Sequence, residues 1–343
     1  MITSLEIQNF RGLKNVVLSD LRRVNLLVGG NDTGKTSILE VLVLLLGDSR
    51  SISELPTTFR NNQANGQGGN YADDCENYWL WLFYGRDPAN TIKVVAKSEN
   101  VLVSSLASVS VPEGAWLNAV QIPEIRRSDS GKAFETLLNF KSNALQPGVA
   151  EFANGIRVSR LSVRPTNPVE DAERYNQIAL EADGEARMEQ IMKEVEPRLK
   201  RLRYAKLPGT TSPLVFADLG LSRAIPATQM GQAFNRILHI YGEILATKAN
   251  VLLIDEIENG IFSDSLPLIW KGLLTMCERE NVQIFATTHS RECLMAAHAV
   301  AKEREHDELS VQRLQLVNGQ VEAVRLGAEH LELASEMGLE VRS

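Results

Sequence analysis

The stretch VNLLVGGNDTGKTSILE, residues 24–40, decides how this chain folds. An apolar run through Leu26, Leu27 and Val28 stops at Gly29, and an apolar helical pattern begins after Thr36. Between them, Gly29-Gly30-Asn31-Asp32-Thr33-Gly34-Lys35-Thr36 satisfies G-x-x-x-x-G-K-[S/T] in its required strand–loop–helix setting. Glycines let successive backbone N–H groups turn inward, and a helix start adds partial positive charge, so such a loop cradles phosphate. The cradle is predicted to comprise Gly29, Asn31, Asp32, Thr33, Gly34 and Ser37. Lys35 would neutralise the β- and γ-phosphates of ATP, and the Thr36 hydroxyl would face Mg²⁺.

Upstream of the cradle, SLEIQNF alternates as a half-buried strand does, and VVLSDLRRVNLLVGG supplies a second strand and the third, buried one. Downstream, VLVLLLG at 41–47 continues the helix. Residues 48–75, rich in Gly, Asn and Ser, read as a loop, and alternation within 78–121 predicts antiparallel strands. Residues 130–205 are expected to be mostly helical, with Met188, Ile191, Met192, Val195, Leu199 and Leu202 at helical spacing and Pro197 kinking or splitting that helix. Helix, strand and helix return at 230–300, and LQLVNGQVEAVRL predicts a hairpin about Asn318-Gly319.

A cradle alone does not hydrolyse. In ANVLLIDEIENG, 249–260, Val251 to Ile254 run into Asp255-Glu256 at the end of a buried strand. Asp255 would hold Mg²⁺, directly or through water, and Glu256 would deprotonate or orient the attacking water. VQIFATTHS, 282–290, is another buried strand, whose closing His289 would reach the γ-phosphate or that water. Glu256, His289 and Lys35 are therefore the predicted catalytic residues, with Thr36 and Asp255 on the metal.

Composition bounds the rest. The 343 residues are 44% hydrophobic and 23% charged, as in a globular protein. No apolar run reaches the roughly 20 residues of a membrane span, and the opening MITSLEIQNFRG has no signal pattern. Cys75, Cys277 and Cys293 lack metal-type spacing, which fits a reducing cytoplasm. A net charge of -7 argues against a nucleic-acid coat. Arg126-Arg127 and RLKRLR at 198–203 read as solvated helix faces.

These elements, in this order, resemble the ABC-type ATPase heads of the RecF, SMC and OLD class. LEIQNFRGLKNVVLSDLRRVNLLVGGNDTGKTSILE is similar to the start of those heads, which makes Arg11 the counterpart of a nucleotide-facing arginine. VLLIDEIENGIFSDSLPLIWKGLLTMCERENVQIFATTHSRECL, with NPVEDAERYNQI and EPRLKRLRY, resembles bacterial stand-alone OLD-like ATPases of defence systems. The resemblance implies an α/β P-loop NTPase. It would be an ABC-ATPase head with a mixed β-sheet flanked by helices and an inserted antiparallel and helical lobe. A nucleotide-binding core of 1–125 and 206–343 would surround a mainly helical lobe of 126–205. About 50 residues follow His289, so no nuclease domain is expected, and a second protein would supply any nuclease or toxin.

The class also carries a signature loop that caps the γ-phosphate of an opposite subunit, implying a homodimer or higher oligomer. Met230-Gly231-Gln232 occupies that place, opening a helix with Phe234, Ile237, Leu238 and Tyr241 in one stripe. The loop departs from the class: Ser-Gly-Gly is absent, and Gln232-Ala233 stand where an acidic residue and glycine are common. Three readings follow: an ATP-closed dimer controlling a separate effector in anti-phage defence, a RecF-like DNA-repair head, or a slowly hydrolysing scaffold.

Overall fold

The computed structural model describes residues 1–47, 51, 81–87, 89–98, 157–161, 167–207, 209–304, 308–327 and 329–331, with the backbone course of five strands between 105 and 146. Two sheets organise it. One is antiparallel and contains β1 (Ile2–Phe10), β2 (Leu13–Leu18), β4 (Ile92–Ser98), β5 (Ser105–Ser110), β6 (Glu124–Asp129) and β7 (Lys132–Thr136), in the order β2-β1-β4-β5-β6-β7. The other contains β3 (Val24–Gly29), β10 (Val158–Leu161), β14 (Val251–Ile254), β15 (Gln283–Thr287), β16 (Leu309–Val317) and β17 (Gln320–Leu326). Its order is β10-β14-β15-β3-β16-β17, parallel up to β16 with β17 antiparallel at the edge. The expected α/β fold with a mixed sheet is therefore present.

Strand periodicity explains why this second sheet is buried on both faces. Successive side chains point to opposite sides. Val24, Leu26, Leu252, Ile254, Ile284 and Ala286 join one core, and Leu27, Val251, Leu253 and Phe285 join the other. The first core is closed by α2 (Pro168–Ala179), α3 (Gly184–Val195), α4 (Gln232–Thr247), α5 (Leu266–Glu280) and α6 (Arg291–Glu303). The second is closed by α1 (Lys35–Leu46) and the antiparallel sheet. A parallel sheet needs cover on both faces, and this chain supplies it from two sources. β11 (Arg201–Lys206), β12 (Pro213–Asp218) and β13 (Ile225–Pro226) form a small third sheet, and β8 (Asn139–Lys141) pairs with β9 (Ala144–Gln146).

The mostly helical course expected over 130–205 holds only for α2 and α3. β7, β8, β9 and β10 lie within 132–161, and β10 pairs in parallel with β14 in the central sheet. The helix through Met188, Ile191 and Met192 ends at Val195, before Pro197, where proline breaks the hydrogen-bond ladder. Leu199 and Leu202 are buried all the same, Leu202 from β11, where Arg201 and Arg203 face solvent on either side of it. That two-residue period was hidden under the helical spacing. Arg126 and Arg127 likewise lie on β6, so neither basic cluster is a helix face.

β4 and β5 confirm antiparallel strands within 78–121. The hairpin also forms as expected: Val317 faces Gln320, and Asn318 and Gly319 both take positive φ, 51° and 76°. Two such residues make the type I′ turn that matches strand twist. Cys277 and Cys293 are buried free thiols, whereas Cys75 and, apart from residue 51, the loop expected over 48–75 lie outside the described residues. No described helix is long and apolar enough to cross a membrane.

Candidate functional site

The carboxyl ends of three neighbouring strands meet at one edge of the central sheet. β3 delivers Gly29, β14 delivers Asp255, and β15, between them, delivers Thr287. Gly29 must be glycine: its φ is 143°, and a Cβ there would sit 2.2 Å from the Leu314 carbonyl oxygen on β16. Gly34, with φ 88°, turns the chain into α1, and its missing Cβ leaves room for Leu13. The first-turn N–H groups of α1 have no acceptor within the helix, the geometry that suits an anion.

Lys35 Nζ donates to the carbonyls of Gly29 at 2.9 Å and Gly30 at 2.6 Å, holding its charge over the loop. Burial lowers its pKa, while Asp255, Asp32, Glu256 and Glu258 oppose that shift. Thr33 Oγ1 donates to the Gly30 carbonyl at 2.9 Å and ties the loop to itself. Thr36 Oγ1 lies 3.3 Å from both carboxylate oxygens of Asp255, 219 positions later in the chain.

Thr287 joins the pieces. Its hydroxyl donates to Asp255 Oδ1 at 2.6 Å and accepts from the Glu256 N–H at 2.8 Å. Burial raises the Asp255 pKa, offset by the hydroxyls of Thr287 and Thr36 and by the fields of His289 and Lys35. Glu256 takes φ 48°, a left-handed conformation uncommon for a non-glycine residue and typical of positions fixed by their surroundings. His289 is held through its backbone N–H, which donates to Glu258 Oε1 at 2.7 Å. Ser290 then caps α6 by accepting from the Cys293 N–H at 3.1 Å, so the polar end of β15 passes directly into a helix.

Two adjoining cavities share Asn31 and His289. One, of about 280 Å³, is lined by Asn31, Asp32, Gly34, Lys35, Thr36, Ser37 and His289. The other, of about 440 Å³, is lined by Asn31, Glu256, Glu258, Asn259 and His289. Of the predicted residues, Asn31, Asp32, Gly34, Lys35, Thr36, Ser37, Glu256 and His289 line these two cavities, and Asp255 stands beside Thr36 without lining either.

Two predicted groups lie elsewhere. Arg11 lines neither cavity; its guanidinium binds the buried Glu40 of α1 at 2.6 and 3.1 Å. Met230 and Gln232 line a separate cavity, and neither they nor Gly231 lines the two around Lys35 and Glu256. Thr287 and Glu258 escaped the sequence reading, although each sits within three positions of a residue that was named.

An oxygen-rich pair of one hydroxyl and one carboxylate fits Mg²⁺, which prefers a few protein ligands completed by phosphate and water. Among the described residues, no group of three or more His, Cys, Asp or Glu forms a dedicated metal cage.

A family model described as "AAA ATPase domain" matches residues 1–204, more than half of the chain. The chain belongs to the AAA ATPase domain family. A second model, "AAA domain, putative AbiEii toxin, Type IV TA system", matches residues 118–295 of this ATPase. An ATP/GTP phosphatase of Helicobacter pylori is 21% identical over 351 aligned positions, covering 89% of this chain and 90% of that one. The DNA replication and repair protein RecF of Nitrosococcus oceani is 52% identical over 44 positions, 13% of this chain and 12% of its own. In structure, the ATPase is similar to an SMC head bound to the C-winged helix domain of ScpA, with a TM-score of 0.53 at 13% identity, covering 96% of this chain and 98% of that one. That likeness carries the ABC-type head fold.

Proposed function

We propose that this ATPase is a Mg²⁺-dependent head of the OLD-like, defence-associated kind, which dimerises about ATP and controls a separate effector protein in the cytoplasm. One observation carries the chemistry: Thr36 stands 3.3 Å from Asp255, with Glu256 and His289 lining the adjoining opening. The head is discontinuous, with 1–125 and 206–343 as its core, completed by β10 from the intervening segment.

On ATP arrival, Lys35 exchanges the Gly29 and Gly30 carbonyls for β- and γ-phosphate oxygens. The N–H groups at the start of α1 take the β-phosphate, with Asn31, Asp32, Thr33, Gly34 and Ser37 shaping the cradle. Thr36 and Asp255 would hold Mg²⁺, which supplies charge neutralisation of the leaving group. Glu256 accepts the proton of the attacking water, while His289, fixed through Glu258, faces the γ-phosphate. Arg11 completes the nucleotide contacts by leaving Glu40.

The effector and defence reading is supported by the match to a family described by an AbiEii toxin, and an SMC head bound to ScpA shows a head of this fold holding a protein partner. A RecF-like repair role is the second reading, favoured by the local RecF match. Glu256→Gln is the test: phosphate release with Mg-ATP should fall at least about a hundredfold while nucleotide is retained. Wild-type release no faster than the variant's overturns the hydrolytic reading in favour of a scaffold. Turnover stimulated by DNA, with salt-sensitive binding, would select the repair head.

A further inference from the structure

Gln232 and Arg236 stand one turn apart on the same face of α4, and that face meets the loop that leaves β14. Gln232 Oε1 accepts from the Phe262 N–H at 3.1 Å, and Arg236 lines a cavity of about 550 Å³ whose wall includes Asn259, Gly260 and Ile261. Arg236 is only 7% exposed, and its Nε and Nη2 are buried without a hydrogen-bond partner. A guanidinium buried in this way needs an opposing charge nearby. Asp171, on the same cavity wall, is already paired with Arg174 at 2.8 Å and contacts His239 Nδ1 at 2.6 Å.

Glu258 supplies that charge. Burial lowers the Arg236 pKa, and the field of Glu258 opposes the shift. Glu258 Oε2 is itself buried and makes no hydrogen bond, while its Oε1 accepts from the His289 N–H at 2.7 Å. One carboxylate oxygen thus fixes the residue that follows β15, and the other is offset by the guanidinium of α4. Without that cation the carboxylate would be buried uncompensated. It also has an exit, because Glu258 lines the cavity that holds Glu256 and His289.

We propose that Arg236 is a positioning residue: it keeps Glu258 seated as an anion against the His289 N–H, and so couples α4, at whose start a second copy would dock, to the catalytic opening. Its consequence for turnover rests on the hydrolytic function proposed above; the seating of Glu258 does not. Asn259, which lines both the Arg236 cavity and the one holding Glu256, lies on the same short loop. A displacement of α4 would therefore reach His289 through side chains rather than through the sheet.

The test is a double-variant cycle on the full chain. Steady-state phosphate release with Mg-ATP is read beside the ring resonances of labelled histidine, the His289 signal being assigned by its loss in His289→Asn. Arg236→Gln should lower kcat about tenfold at unchanged KM and shift the His289 signal, because the uncompensated carboxylate leaves its seat. Arg236→Lys, which keeps the charge, should stay within about threefold of wild type. In the Glu258→Gln background, whose neutral amide needs no counterion, adding Arg236→Gln should change neither readout further. An equal effect of Arg236→Gln in both backgrounds overturns the proposal, as does a kcat that Arg236→Lys lowers as far as Arg236→Gln. ATP affinity by calorimetry reports folding: if Arg236→Gln alone fails to bind ATP, the double variant should regain binding, and continued loss overturns the pairing. Should Glu256→Gln leave phosphate release unchanged, the hydrolytic reading alone fails, and the His289 signal still decides the coupling.

Discussion

Lys35 rests on two carbonyls of its own loop, and a buried ammonium in that position is stabilised by acids at a distance but, among the described residues, hydrogen-bonded to backbone dipoles. Triphosphate offers it charged oxygens instead, so Lys35→Ala should weaken ATP binding at least about a hundredfold by calorimetry, the loss of two charge-assisted contacts. Unchanged affinity would remove the cradle assignment. Thr287 tests the metal side. Burial favours the protonated form of Asp255, so turnover should decline on the acid side at a higher pH than an ordinary aspartate would impose, because a protonated carboxyl is a poor Mg²⁺ ligand. The Thr287 hydroxyl opposes that shift. Thr287→Val should therefore raise the acid limb of the pH–rate profile by about one pH unit, since a hydrogen bond to a charged group contributes roughly 1.5 kcal/mol or more. An acid limb that stays in place would show that Asp255 does not govern it.

Elements differed in how plainly the sequence announced them. The phosphate loop, the two apolar strands ending at Asp255 and Thr287, and the Asn318-Gly319 hairpin rest on local chemistry: a glycine where Cβ cannot fit, a run buried on both faces, a turn needing positive φ twice. β10 was illegible for the opposite reason. Four residues in an intermediate–buried–intermediate–buried pattern become a strand only because β14 offers an open edge beside them, a partner 93 positions distant. β11 was misread because Leu199 and Leu202, three apart, satisfy a helix as well as a turn followed by a strand. The hairpin yields an element-scale prediction. Gly319→Ala places a Cβ at φ 76°, where it costs about 1–2 kcal/mol. The urea midpoint should drop while the slope of the transition is unchanged. A midpoint equal to wild type would mean that the turn relaxes away from type I′.

At the scale of the whole molecule, the phosphate loop and the start of α4 line separate cavities of one chain. The cavity around Lys35 and Thr36 is lined in part by the exposed Asn31 and Asp32, whereas Met230 and Gln232, on either side of Gly231 at the start of α4, line a different one. A role for Met230-Gly231-Gln232 in capping a second copy's ATP rests on resemblance alone, because helix starts are common and nothing in the local residues demands a partner. Burial of the same ATP by two copies would supply that partner and make closure depend on the γ-phosphate, so hydrolysis would reopen the pair. Glu256→Gln, which retains nucleotide, should therefore shift from one copy to two on adding Mg-ATP, read as a doubling of mass by light scattering on a sizing column. Gly231 provides the control. A Cβ there meets nothing within 4 Å and its φ of -59° suits any residue, so Gly231→Trp should fold and bind ATP as before. Placed in the Glu256→Gln background, that indole would stand where the second copy must approach, and the mass should remain that of a single chain. A dimer that forms equally well with Trp at 231 would rule out the ATP sandwich through this helix start.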